Sequence, residues 1–242
     1  MKKFLLSFLV IFSSNFMVTP HGNASTDDAY DFSWLDPGKK IFVLQNRRYR
    51  KDNKFHLAAG AGFTSSGAFV DSFNISTRGS YFFTEEFGVE LVYSTNSGKE
   101  NDTATSVRNP GGSGSIPFRR IVDQYFGGYF SWAPFYSKIN AFNKIIYLDI
   151  IFNVGVASMT ESNNAQEVNV GGAGNFAQSE ETHTALSWDV AWKIYLNDHL
   201  DLRLDVLALH YQANSALGIV SDTDDKNWYS HYDLSLSLGL RF

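Results

Sequence analysis

The chain contains no cysteine in 242 residues. A disulfide framework and a thiolate metal site are therefore excluded. With no cysteine after the first apolar run, a lipoprotein anchor is disfavoured too. Proline is scarce, at five residues. Beyond residue 24, no apolar run approaches the roughly 20 residues that a transmembrane helix needs. Basic residues are also in deficit: Lys plus Arg number 20 against 25 Asp plus Glu, a formal net charge of −5. An acidic chain with one short basic cluster argues against a nucleic-acid partner.

What is present begins with Met1-Lys2-Lys3 and the apolar stretch Phe4 to Phe12. A positive start followed by about ten apolar residues has the form of a secretory signal. Gly22-Asn23-Ala24 supplies small residues at a cleavage site, so the expected signal peptide is residues 1–24. The alternative is a retained membrane anchor. Loss of Lys2 and Lys3 would move the net charge from −5 to −7. Residues 25–52 are expected to form a periplasmic leader, amphipathic around Tyr30, Phe32, Trp34 and Leu35, that ends in a basic segment.

From residue 53 to 242 the hydrophobic pattern has period two, the signature of strands with one oily and one polar face. The last segment shows it best. Tyr232, Leu234, Leu236, Leu238, Leu240 and Phe242 alternate with Asp233, Ser235, Ser237, Gly239 and Arg241. Similar alternation begins near Phe55, Phe73, Phe87, Asp123, Ile146, Leu186 and Leu200. This gives eight strands of about 11–15 residues, long enough to span a bilayer. No convincing helical stretch separates them, so the sheet is expected to be antiparallel. Thr84-Glu85-Glu86 and Asn197-Asp198-His199 read as tight turns. Gly98–Pro117, Thr160–Thr182 and Ala213–Asn227 read as long polar loops. Two connections break the expected alternation of lengths: a short one at Ser65-Ser66-Gly67 and a long one from Ala133 to Lys144.

The expected fold is an all-β, eight-stranded, antiparallel, up-and-down transmembrane β-barrel. A soluble lipocalin-like barrel would carry its oily face inside. Three features favour the inverse. The polar face is mostly small or neutral. Aromatic residues (Phe55, Phe63, Phe87, Tyr93, Trp132, Tyr232 and Phe242) recur near strand ends on the oily face. The chain also ends in an apolar strand, in which Tyr232, Leu240 and Phe242 suit a signal read by the outer-membrane assembly machinery. The lumen is then expected to hold a salt-bridged network of Arg78, Glu90, Asp123, Asp149, Asp189, Lys193, Asp201, Arg203, Asp205, Asp233 and Arg241. The competing reading of the same charges is a proton path or a narrow pore.

The segment Ile41-Phe42-Val43-Leu44-Gln45-Asn46-Arg47-Arg48-Tyr49-Arg50-Lys51, followed by Phe55 and Leu57, resembles a family of outer-membrane β-barrel domain proteins. Residues Trp132 to Lys144, leading into Asp149, extend the resemblance, which covers roughly residues 36 to 242. The architecture it implies is that of small OmpA-like eight-stranded barrels. It implies no catalytic residue, and no peptidoglycan-binding domain is expected after Phe242.

Arg47, Arg48, Arg50 and Lys51, with Lys138 and Lys144, form a candidate basic rim for lipid phosphates or a periplasmic partner. Ser230, His210 or His231 and Asp233 offer a Ser–His–carboxylate trio, but no motif fixes it and no enzyme is expected. Asp222-Thr223-Asp224-Asp225 lacks the glycine and distal glutamate of a calcium loop. Glu161, Glu167, Glu180 and Glu181 could bridge divalent ions to lipopolysaccharide, although a plain solvated loop is the simpler reading. No metal or cofactor is assigned. The expected role is structural, assembly or interaction work at the bacterial outer membrane, with a small channel and a lipid-modifying enzyme as alternatives. Expected partners are outer-membrane lipid and lipopolysaccharide, the assembly machinery, and a second copy or a periplasmic protein.

Overall fold

A computed structural model describes residues 47–65, 67–108, 116–141, 143–165, 168, 178–214 and 226–242. Arg47–Phe242 forms one unit. The signal peptide, the leader up to residue 46 and the acidic run 222–225 lie outside the described residues. The strands are β1 (Lys54–Ser65), β2 (Val70–Phe82), β3 (Phe87–Glu100), β4 (Arg120–Ala141), β5 (Lys144–Asn163), β6 (Ser179–Tyr195), β7 (Leu200–Asn214) and β8 (Lys226–Arg241). Each pairs antiparallel with the next, and β8 returns to β1, from His56 opposite Arg241 to Ser65 opposite Tyr232. The result is a closed up-and-down barrel with no free edge around its girth.

Alternation fixes which residues face out. On β8, even-numbered residues are exposed and odd-numbered ones from His231 to Arg241 are buried. Phe63 is 74 % exposed and Leu236 52 %, whereas Asp205 and His231 are 0 % exposed. A chain that turns leucine outward and aspartate inward is built for an apolar surrounding. The oily face of β8 runs from Tyr232 to Phe242, about 33 Å of strand, or roughly 25 Å high at a tilt near 40°. Aromatic residues mark both rims of this band. Phe55 packs on Tyr81, and Trp132 on Phe152, near the mouth where β1 begins. Phe63 is paired with Phe73, and Tyr93 with Phe126, near the far mouth.

Local chemistry explains the connections. In the turn after β2, the Phe87 amide donates to Thr84 Oγ1 at 2.9 Å. In the turn after β6, the Leu200 and His199 amides both donate to Asn197 Oδ1 at 2.8 Å. After β3 a short helix, α1 (Asp102–Arg108), starts where the Ala104 amide donates to Asn101 Oδ1 at 3.0 Å. The reading of this connection as a loop without helix is thus corrected. The loop expected over Thr160–Thr182 is shorter too, because β5 runs to Asn163 and β6 starts at Ser179.

The larger correction concerns Ala133 to Lys144. It is not a long turn but a hairpin, with Ala141 paired to Lys144 and Asn143 in the left-handed region at φ 60°. A β-bulge between Trp132 and Phe135 adds one residue to β4. An extra residue flips the faces. Even positions point outward from Gln124 to Trp132, and odd ones, Phe135 and Ile139, do so afterwards. A second bulge lies between Val122 and Gln124. Mid-wall, β4 and β5 pack so closely that a Cβ on Gly155 would stand 2.0 Å from the Gly128 carbonyl oxygen.

Placing a cation on the oily wall tests its surroundings. Leu236→Arg should lower the folding free energy in lipid by about 2–4 kcal/mol, read by urea titration in vesicles. A change within about 0.5 kcal/mol is what a water-facing surface would give.

Candidate functional site

The inward residues form stacked layers. At the mouth shared by the start of β1 and the end of β8, the segment preceding β1 turns into the lumen. Tyr49 stacks on Tyr195 at 4.9 Å between ring centroids, and the Arg241 guanidinium lies over both rings. Lys51 Nζ pairs with Asp149 Oδ2, which also accepts from Tyr195 Oη at 2.6 Å. Burial pulls the Lys51 pKa below its ordinary value, and the Asp149 carboxylate opposes that fall. Just above, Asp201 Oδ2 bridges His56 Nε2 at 2.7 Å and Lys193 Nζ at 3.5 Å.

The central layer crosses the barrel. Arg203 from β7 forks onto Glu90 of β3 through both terminal nitrogens, onto Asp189 of β6 at 3.1 Å, and through Nε onto Asp205 at 2.6 Å. Arg78 of β2 donates to Glu90 at 3.0 Å and to Asp189 at 3.1 Å. Asn153 of β5 donates to Asp189 at 2.7 Å. Bidentate guanidinium–carboxylate contacts are the strong form of this interaction. All these groups are buried.

Above this layer the lumen turns apolar. Val92, Val122, Met159, Leu207 and Leu209 pack with Tyr125 and Tyr129. The expectation of a polar interior throughout is corrected here. Tyr125 Oη donates to Asp233 at 2.6 Å, and Asp233 also faces His231 Nε2 at 2.9 Å. At the far mouth, Arg120 Nη1 holds Glu161, which also accepts from Tyr211 Oη at 2.9 Å. Two further groups stand beside Glu161: Glu181 and His183.

Ten of the eleven charges expected inside the lumen point into it. Asp123 does not: it is the extra residue of the bulge in β4, partly buried, and accepts from Ser162 Oγ. Arg120, Glu161, His56 and His231 are luminal members that the expected network omitted. Strand parity alone marks His56, His231 and Glu161, whereas Arg120 needed the register across the bulge in β4. The basic rim divides. Lys51 leaves it to enter the lumen, 2 % exposed, and Arg47 is paired with Glu85 at 3.4 Å. Arg48, Arg50, Lys138 and Lys144 remain exposed at the mouth, with Arg48 and Lys138 over the Tyr147 ring. Tyr232, Leu240 and Phe242 lie on the outer face.

The candidate catalytic trio does not assemble. Ser230 and His210 are on the outer wall, while His231 and Asp233 face inward. Trp188 Nε1, a donor only, donates to His210 Nε2 at 3.0 Å. His210 Nδ1 therefore carries the proton and donates to Ser230 Oγ at 2.8 Å. In that tautomer His210 cannot take a proton from Ser230.

Oily wall and filled lumen together define a small eight-stranded transmembrane β-barrel. No family model matches the chain, and no curated protein matches it either. Among solved structures, it is similar to the N-terminal β-barrel domain of OprF from Pseudomonas aeruginosa, at 12 % identity and a TM-score of 0.43, over 79 % of this chain and 98 % of that one. The outer membrane protein OprG from Pseudomonas aeruginosa matches at 12 % identity and 0.43, over 80 % and 98 %. A major outer membrane protein from Thermus thermophilus matches at 14 % identity and 0.39, over 78 % and 99 %.

Removing the Arg203 guanidinium would leave Arg78 alone to answer three buried carboxylates. Arg203→Ala should cost about 3–5 kcal/mol of stability, and adding Glu90→Gln should recover part of that loss. A double-mutant cycle by urea unfolding in vesicles measures both.

Proposed function

We propose that this protein is a sealed barrel of the bacterial outer membrane, acting as an anchored structural, assembly or interaction element rather than as a pore or an enzyme. The observation that carries this reading is the filled lumen. A ring of Tyr49, Tyr195 and Arg241 at one mouth, the Arg78–Arg203 layer at mid-height and the Val92–Leu209 layer above leave successive closures across the bore. An eight-stranded barrel is only wide enough for its own side chains. The separation of Ser230 from His231 and Asp233 supports the non-catalytic side of the reading.

In this role the mouth holding both strand termini faces the periplasm, with the signal peptide removed after Ala24 and the leader on that side. Arg48, Arg50, Lys138 and Lys144 stand at the level of inner-leaflet phosphates, or meet an acidic periplasmic partner. The assembly machinery reads Tyr232, Leu240 and Phe242, and lipopolysaccharide meets the outer rim. The bare oily wall suits packing against a second copy.

Two measurements test the proposal. Purified barrel should migrate differently unboiled and boiled in SDS, and should pass no steady current across a planar bilayer. Reproducible single-barrel conductance would overturn the sealed reading. Solubility in plain buffer with no heat-dependent shift would overturn the membrane one.

A further inference from the structure

We infer that Glu161, Glu181 and His183 form a zinc-class metal site at the far mouth, a property beyond the anchoring role. The register places Glu161 of β5 directly opposite Glu181 of β6, and His183 opposite Met159, one diagonal step away. All four residues have odd numbers on strands whose odd positions face the lumen, so the two carboxylates and the imidazole converge. One ligand atom from each of Glu161, Glu181 and His183 lies within 4.8 Å of the others. His183 Nε2 is 3.3 Å from Glu161 Oε1 and 3.4 Å from Glu181 Oε2.

That spacing is informative. Donors about 2.1 Å from a tetrahedral ion stand roughly 3.4 Å apart. His183 Nε2 is buried and makes no hydrogen bond to either oxygen, although both are near. Two carboxylates facing each other across antiparallel strands repel, and a divalent cation between them removes the repulsion. The flanking groups orient the ligands as a metal site requires. Asn163 Nδ2 holds Glu181 Oε1 at 3.0 Å, leaving Oε2 toward His183. Tyr211 Oη holds Glu161 Oε2, and the Tyr211 ring lies against the imidazole at 5.4 Å. Arg120 Nη1 shares Glu161 Oε1, which has lone pairs for both a guanidinium and a metal. One nitrogen and two carboxylates suit zinc, with water in the fourth position. Calcium and magnesium prefer all-oxygen shells.

The competing arrangement is a contact of His183 with the two carboxylates and no metal between them. The test is calorimetric titration of zinc chloride into the full, tag-free barrel folded in detergent at neutral pH. Saturable binding of one ion per barrel is expected, with roughly tenfold or greater loss of affinity in His183→Ala and in the shape-conserving Glu181→Gln. His199→Ala, in the turn at the opposite mouth, should bind as the parent does. Calcium and magnesium chloride should give no comparable isotherm. Cold-gel mobility confirms that each variant is folded, and Glu181→Gln keeps the test alive if His183→Ala is not. No saturable zinc binding, or binding unchanged in the folded variants, would overturn the site.

Discussion

Hydrocarbon offers no hydrogen-bond partner, so each backbone N–H and C=O left bare in it costs several kcal/mol. A sheet meets that constraint only by closing on itself. Here β8 returns to β1 through the ladder from His56–Arg241 to Ser65–Tyr232. Period-two alternation then leaves no choice about the sides: what faces lipid must be Leu, Val and Phe, and the polar half of each strand is turned inward. The far-from-random polar face follows from closure, not from any demand of a site.

A bore of eight strands is too narrow to hydrate its inward charges freely, so those charges must answer one another. Arg203 meets Glu90, Asp189 and Asp205 from three strands at once, and Arg78 meets the same acids from the opposite wall. This layer ties β2, β3, β6 and β7 across the lumen. Isolated ladders would link only neighbours. Lys51, carried in by the segment before β1, supplies the cation that Asp149 would otherwise lack. The chain thus uses its own N-terminal approach to finish the interior.

Much of this was legible in the sequence. The outward leucines of β8 and the inward Asp201, Arg203 and Asp205 of β7 follow from uninterrupted alternation. The inward position of His231 follows too, since it shares the parity of Asp233 while Ser230 has the other. Legibility failed where one residue was added. Bulges near Asp123 and Pro134 flip the faces of β4, so Asp123 leaves the network and a hairpin arm has the sequence pattern of a turn. The Glu161–Glu181–His183 cluster was hidden for another reason. Glu161 and Glu181 lie in what reads as a polar loop and His183 just past its end, and only the cross-strand register brings them together. The fate of Lys51 was equally unreadable, because nothing in a run of basic residues tells which one turns inward.

Whether the lipid-facing wall encloses a lumen closed to water can be tested at an inward side chain. A chain without cysteine allows a direct measurement: Ser237→Cys, a near-isosteric change at an inward residue 2 % exposed, treated with a water-soluble maleimide in vesicles. For a sealed lumen, labelling of the folded barrel is negligible and becomes rapid once it is unfolded. Labelling of the folded barrel at the rate of the unfolded chain would contradict it, and would mean that water runs through the bore.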